Sequence, residues 1–328
     1  MIARALTLYS LLIFTAALLL APASPGLHID LMRSSVILFP HAVAIAYVSS
    51  LSKRRWKGVE LLNAPLFLLP LNYDLLKHYL VVPSLHAAVH SFLSSKAWKG
   101  PFKRSLQMVS LSYVALAIYS LTSSSPFIDA VRLLAYPITL IYAVSCQSFP
   151  KTYGEEANWP LAFASSLAAF SFLLYPAPLY YLGLASTFTY LISIKLYKLG
   201  EYYSKVKQME GTAGKAQEYF LLGHAFVAPS VLWPWLFSTD PLSLLHSTLL
   251  GFVALHVFIH FPFMVPIILR VRNRRRYCKL VFPLAELAAL SWPLQRHLAY
   301  LLFLTAYATL LLSTFEVRRG RGEGRSSA

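Results

Sequence analysis

Twelve apolar runs, separated by short polar or proline-bearing breaks, organise this chain. A helix needs about 20 apolar residues to cross hydrocarbon. Runs near that length lie at 3–22, 35–51, 60–81, 83–97, 105–122, 128–148, 159–175, 177–197, 218–237, 242–269, 280–294 and 297–315. Pro83, Tyr175-Pro176-Ala177-Pro178 and Asp240-Pro241 mark tight turns between them. One long polar interruption, 200–217, divides eight runs (1–199) from four (218–315), and a basic tail occupies 316–328. The pattern predicts an all-α, polytopic integral membrane bundle of about twelve transmembrane helices, forming a single transmembrane domain over 1–328.

Composition narrows the class. Of 328 residues, 57% are hydrophobic and 13% charged, against about 25% charged in soluble domains. A soluble enzyme, a secreted disulfide scaffold and a disordered chain are thereby excluded. The net charge of +16 does not point to nucleic acid, because the basic residues sit in short clusters between apolar runs, as in loops facing anionic lipid. With the N-terminus inside, all but Arg33, Lys77, Arg132 and Arg296 of the 29 Lys and Arg fall on the inner side. SKRRWK (52–57), KAWKGPFKR (96–104), RVRNRRRYCK (270–279) and RRGRGEGR (318–325) carry most of that charge. Both termini are therefore expected in the cytoplasm of a cell carrying this protein in its plasma membrane, with the lipid bilayer as its first partner. Arg4, the apolar stretch after it and Ala21-Pro22-Ala23 also suit a cleavable signal, which would leave eleven helices. Cys146 and Cys278 form no CxxC pair and fall on the reducing side, so no disulfide is expected.

Ionisable groups inside hydrocarbon are costly and mark functional hypotheses. Most of the ten histidines fall within the apolar runs. At 100° per residue, His246, His256 and His260 share one face of the tenth helix, and His246 and His260 are about 21 Å apart along it. His246 and His41 lie near the outer ends of their helices, and His260 and His224 share a deeper level. Paired axial imidazoles are what a b-type haem needs: His41 with His246 is the first candidate pair. His260 with His224 is a second site for a haem or a metal. His86 and His90 share a helix face at i,i+4 and, with His256, are candidate metal ligands, although HxxxH without a carboxylate is a weak pattern. Against each stands the plainer reading, a hydrogen bond to a backbone carbonyl or to a Tyr or Ser of a neighbouring helix. That reading is assigned to His28, His78 and His297. Asp129 and Arg132 are expected to pair at i,i+3. Glu286, mid-helix with no cation in its segment, is a proton-relay or supporting group, or a protonated carboxyl bonded to a neighbour.

The tenth run carries a resemblance. LLHSTLLGFVALHVFIHFPFMVPIIL (244–269), with His246, Gly251, Phe252, Val253, His260, Pro262 and Pro266, resembles a segment of the NnrS family of prokaryotic membrane proteins, themselves distantly similar to haem-copper oxidase subunit I. YFLLGHAFV (219–227), Tyr277, PLAELAALSW (283–292) and FPHAVAIAYV (39–48) agree more loosely. The resemblance implies a twelve-helix bundle, haem and copper binding, and a role in nitric oxide or respiratory metabolism. The chain departs from terminal oxidases in having no histidine in 128–148 or 159–175, which excludes a proton-pumping oxidase. Lys53-Arg54-Arg55 stand where the family has an acidic-basic group. Two rivals remain: a metal-ion or small-solute transporter lined by the histidines and Glu286, broken at Pro65-Pro70, Pro234 and Pro262-Pro266, and a cofactor-free structural subunit. Enzymatic turnover is not assigned, and no protein partner is indicated.

Overall fold

A computed structural model describes residues 1–52, 56, 58–273 and 276–315. Lys53-Arg54-Arg55 and the tail 316–328 lie outside the described residues. Among the described residues the chain is helices joined by short turns and loops, with one isolated bridge between Asn273 and Phe315. The helices are α1 (Ile2–Leu20), α2 (Pro25–Leu51), α3 (Val59–Leu68, ending as a 3₁₀ turn), α4 (Tyr73–Tyr79), α5 (Val81–Ser95), α6 (Gly100–Leu121) and α7 (Pro126–Thr152). After them come α8 (Trp159–Leu174), α9 (Tyr180–Ser193), α10 (Leu199–Lys207), α11 (Gly211–Leu236), α12 (Pro241–Leu269), α13 (Val281–Ser291) and α14 (Arg296–Thr314). Six, namely α1, α2, α7, α11, α12 and α14, are long and apolar enough to cross a membrane.

The exterior is apolar where a water-soluble bundle would be polar. On α5 the exposed positions Val82, Leu85, Val89 and Phe92 recur at helical spacing, and short helices also show Leu61, Leu68, Leu167, Leu182, Ile192 and Leu287 outward. Such a surface suits hydrocarbon. The interior is correspondingly rich in small hydroxyl residues. Ser112, Ser120, Ser186, Ser193 and Ser230 are buried and return their hydroxyl to the carbonyl three residues back, so they pack like alanine without a stranded polar group.

Three boundaries differ from the apolar pattern. α2 begins at Pro25, ten residues before the run at 35–51. Pro25 opens it at the first helical position, and Arg33 is neutralised by Asp30 and Asp129, so the polar stretch before residue 35 stays helical. The run at 60–81 splits because a 3₁₀ turn ends at Leu68 and Asn72 caps a new helix, its side chain accepting from the Leu75 N–H at 3.3 Å. The polar interval 200–217 is α10 and the first turns of α11. α10 holds its place by burying Tyr202 and Val206, with Tyr202 stacked on Tyr153 at 4.6 Å.

α12 is irregular. Thr248–Val253 form a wide π turn, around Gly251, whose missing Cβ lets Ser230 and Ala289 approach. Farther along, Pro262 and Pro266 each lack an N–H and free the carbonyl four residues earlier. Tyr219 donates to the Phe258 carbonyl at 2.8 Å, and the Asn273 amide donates to the Pro262 carbonyl at 2.5 Å, so neither is stranded in apolar surroundings. Gly223 of α11 sits so close to α13 that a Cβ there would meet Phe282 Cζ at 2.8 Å.

Candidate functional site

α2 and α12 run parallel. His28 and Ile29 line a cavity with Leu242 and His246. Farther down, Phe39 and Val43 line one with Val257 and His260, and Phe39 stacks on Phe261 at 6.2 Å. We call the end bearing the α1–α2 turn the upper end. His41 is sixteen residues into α2 and lies level with residue 258 or so of α12, about 18 Å below His246 at 1.5 Å per residue. The structure does not bring His41 and His246 together. The sequence pattern set His41 near the upper end because it started α2 at 35.

His41 is enclosed elsewhere. The Asn63 amide donates to the Val59 carbonyl at 2.7 Å, which turns its oxygen toward His41, whose Nε2–H donates to it. The His41 ring meets Tyr113 edge-on at 5.4 Å.

The upper cavity has a volume of about 260 Å³. Its walls are mostly apolar, from α1, α2, α7, α12 and α14, but His28, His246, His297, Arg33 and Arg296 also line it, with no acidic residue among the lining. His246 donates Nδ1–H to the Leu242 carbonyl at 2.9 Å, and His28 does the same to the Ala17 carbonyl at 2.9 Å. Each Nε2 has no hydrogen-bond partner among the described residues. Arg33 is buried, sits over the Tyr73 ring at 4.0 Å, and keeps a buried Nε with no partner. Asp240 stands at the rim as the cap of α12, accepting the N–H groups of Leu242 and Ser243 at 3.2 Å. The Ser243 hydroxyl and those amides hold its carboxyl below the usual carboxylate range.

A second group gathers lower down. His224 of α11 lies with ring centroids 5.8 Å from His256 and 6.0 Å from His260. His224 donates Nδ1–H to the Phe220 carbonyl at 2.9 Å and leaves Nε2 buried with no partner. His256 is pinned in the same way to Phe252 at 2.7 Å, while its Nε2 accepts from the Tyr190 hydroxyl at 3.0 Å. His260 Nε2 lies 3.4 Å from the Ser145 hydroxyl. The sequence-based pairing of His224 with His260 thus meets in space. The single face expected for His246, His256 and His260 does not survive. The wide turn at 248–253 inserts roughly one residue, which rotates His246 about 100° relative to His256. His246 therefore faces α13, where it lies on Trp292.

The remaining candidates have protein partners. His86 accepts from the Trp56 indole N–H at 3.2 Å, and His90 stacks on the same indole at 4.6 Å. Glu286 accepts from the Trp233 indole at 2.5 Å and keeps its other oxygen buried and unpartnered. Asp129 does not pair with Arg132. It takes Lys77 and Arg33, with the Tyr119 hydroxyl donating at 2.5 Å, while Arg132 donates Nε–H to the Tyr175 carbonyl at 2.8 Å. The first turn of α7 faces α2 and α4, whose cations offer a shorter approach than a neighbour on the same helix.

Comparisons with protein-family models, characterised proteins and solved structures returned no match. Among the described residues, no three His, Cys, Asp or Glu side chains converge as ligands of one metal ion. Neither histidine pair expected to hold a haem has the site predicted for it, since His41 does not line the cavity that His246 lines. The cavity beside His256 and His260 is about 80 Å³, too small for a macrocycle, so the His224–His260 pair does not fit one. The upper cavity has the matching donor set: imidazoles whose Nδ1–H is tied to a carbonyl, which is how proteins fix the metal-binding tautomer, and guanidinium groups suited to carboxylates. Its volume, about 260 Å³, lies below the range of about 300–1,000 Å³ typical of ligand sites, so a haem would enter it only with the surrounding side chains drawn back. His28, Arg33, Arg296 and Trp292 were not singled out from sequence as site residues. The legible signal was that Arg33 and Arg296 stand apart from the clusters of basic residues.

Proposed function

We propose that this chain is a twelve-span integral membrane protein of the NnrS-like type that holds a b-type haem in the upper cavity, with a nitric-oxide-response or redox role. Both termini face the cytoplasm in this reading, so the upper end is the outer face. The observation that carries it is the joint lining of one apolar cavity by His28 and His246, each with Nδ1 tied to a carbonyl, and by Arg33 and Arg296. His246 and His28 would hold the haem, and His41 would not. Arg33, with its unpartnered Nε–H, and Arg296 would hold the propionates. A bound haem supplies one-electron chemistry and an iron able to bind small gas ligands. The protein groups orient the two imidazoles and keep water from the apolar walls.

Optical spectra of the protein purified from haem-replete cells, oxidised and dithionite-reduced, test the proposal. A Soret band with b-type reduced peaks, lost in His246→Ala and in His28→Ala but retained in His41→Ala, is expected. A colourless protein overturns it and leaves the cofactor-free structural subunit as the reading.

A further inference from the structure

The upper cavity is not isolated. It shares Met32, Val36, Leu249, Leu250 and Phe303 with a second cavity of about 80 Å³. That one shares Phe39, Pro40, Val253, Val257 and Phe261 with a third, also about 80 Å³, which ends on His256 and His260. The three follow the seam between α2 and α12. Both helices are irregular along it: α2 carries Pro40 within its length, and α12 carries the wide turn at 248–253. Regular side-chain ridges mesh into grooves, and a proline beside a π turn interrupts that meshing and leaves gaps.

The chemistry of these gaps decides what they can hold. No charged side chain lines the second or third cavity. Their hydroxyls are engaged: Ser10 donates to the Thr7 carbonyl at 2.9 Å, Ser35 to the Met32 carbonyl at 2.9 Å, and Ser145 lies against His260. Tyr307 is within 3.1 Å of the Thr15 hydroxyl. A buried water needs two to four polar partners, and apolar cavities stay dry. An ion would lose its hydration with nothing to replace it. A dry cavity of about 150 Å³ takes benzene or xenon, so each 80 Å³ gap admits a molecule of only two or three heavy atoms.

We propose that the α2/α12 seam is a dry binding path for small uncharged gas molecules, joining the upper cavity to the buried His256 and the partly buried His260 imidazoles. The stacked rings of Phe39 and Phe261 form its narrow point, between the second and third cavities. The same lining disfavours the transport of metal ions or polar solutes along this route. The path exists whether or not the upper cavity holds a haem. It deepens the haem reading only by saying which ligands reach that end, and from where.

Xenon is the probe. Crystals of the full-length protein, or the protein in nanodiscs followed by ¹²⁹Xe NMR, are exposed to xenon under pressure. Two xenon positions are expected, one against Val253 and Phe303 and one against Val144 and Val257. Val257→Phe, which fills the wall common to the two lower cavities, is expected to abolish both while leaving the optical spectrum unchanged. Should that variant fail to fold, Val253→Ile with Val36→Leu narrows the same passage, and at least a threefold loss of xenon binding is expected. Absence of xenon from the seam of the folded, unsubstituted protein overturns the proposal, as does an ordered acyl chain or a file of waters filling it. A colourless protein that still takes up xenon defeats the haem reading alone.

Discussion

His246 lies flat on Trp292, the ring centroids 3.7 Å apart and the planes within 5° of each other. The contact joins α12 to α13 and fixes the imidazole plane, while the bond from Nδ1 to the Leu242 carbonyl fixes its rotation. The wide turn of α12 makes the stack possible by turning His246 away from the face that carries His256.

Stacking of this kind is worth about 0.5–1.5 kcal/mol. On the proposed haem reading, the b-type spectrum is expected to survive in Trp292→Leu, with haem held roughly two- to tenfold more weakly. Transfer of haem to apomyoglobin measures the difference. An unchanged transfer rate would show that Trp292 does not orient the ligand.

Asp129 serves two cations in a buried setting, Lys77 and Arg33, each with about 6% of its side chain exposed. Removing the carboxylate strands Lys77 and leaves Arg33 with Asp30 alone. Breaking a buried pair by deleting one partner costs about 3–5 kcal/mol, so Asp129→Asn is expected to lower stability by that order. Arg132→Ala, which gives up a single bond to a carbonyl, is expected to cost about 1 kcal/mol. Unfolding by a graded increase of sodium dodecyl sulfate in mixed micelles compares the two. Equal losses would contradict the pairing seen here.

At the lower end, Glu155 in the α7–α8 loop takes Lys195 and Lys198, each at 2.8 Å. Those two ammonium groups hold its carboxyl down at about 2, against an ordinary value of about 4.3. A group whose folded value is depressed contributes stability above its unfolded value and loses it as pH falls toward the folded one. The melting temperature of the native protein should therefore exceed that of Glu155→Gln at pH 6. The gap should close progressively between pH 5 and pH 2. A gap that stays constant over that range would remove Glu155 from the acid response.

Much of the fold was legible from hydropathy. The apolar runs are largely helical, because a long apolar stretch must satisfy its backbone within the segment, although the run at 60–81 splits at Asn72 and only six helices are long and apolar enough to cross a membrane. Asp240-Pro241 starts α12 where turn chemistry placed it. What hydropathy missed was polar yet helical: residues 25–34 of α2, kept in the helix by Arg33 and its two carboxylates, and α10, held by Tyr202.

The candidate site was less legible. Histidine positions and their near-helical spacing could be read from the chain, and the meeting of His224 with His260 followed from depth alone. The pairing of His41 with His246 failed by about 18 Å, because it depended on where α2 starts and on an uninterrupted α12.

Four basic residues expected away from the inner side show the division between sequence and tertiary structure. Sequence alone singled out Arg33, Lys77, Arg132 and Arg296 as standing outside the four basic clusters, since charge along the chain is a one-dimensional quantity. The tertiary structure decided their employment: Arg33 and Lys77 on Asp129, Arg132 on the Tyr175 carbonyl, and Arg33 again with Arg296 in the wall of the upper cavity. Composition and periodicity dictate which segments leave water. Which side chains then meet depends on helix register and on the rotation of a single wide turn, and local sequence does not encode either distance.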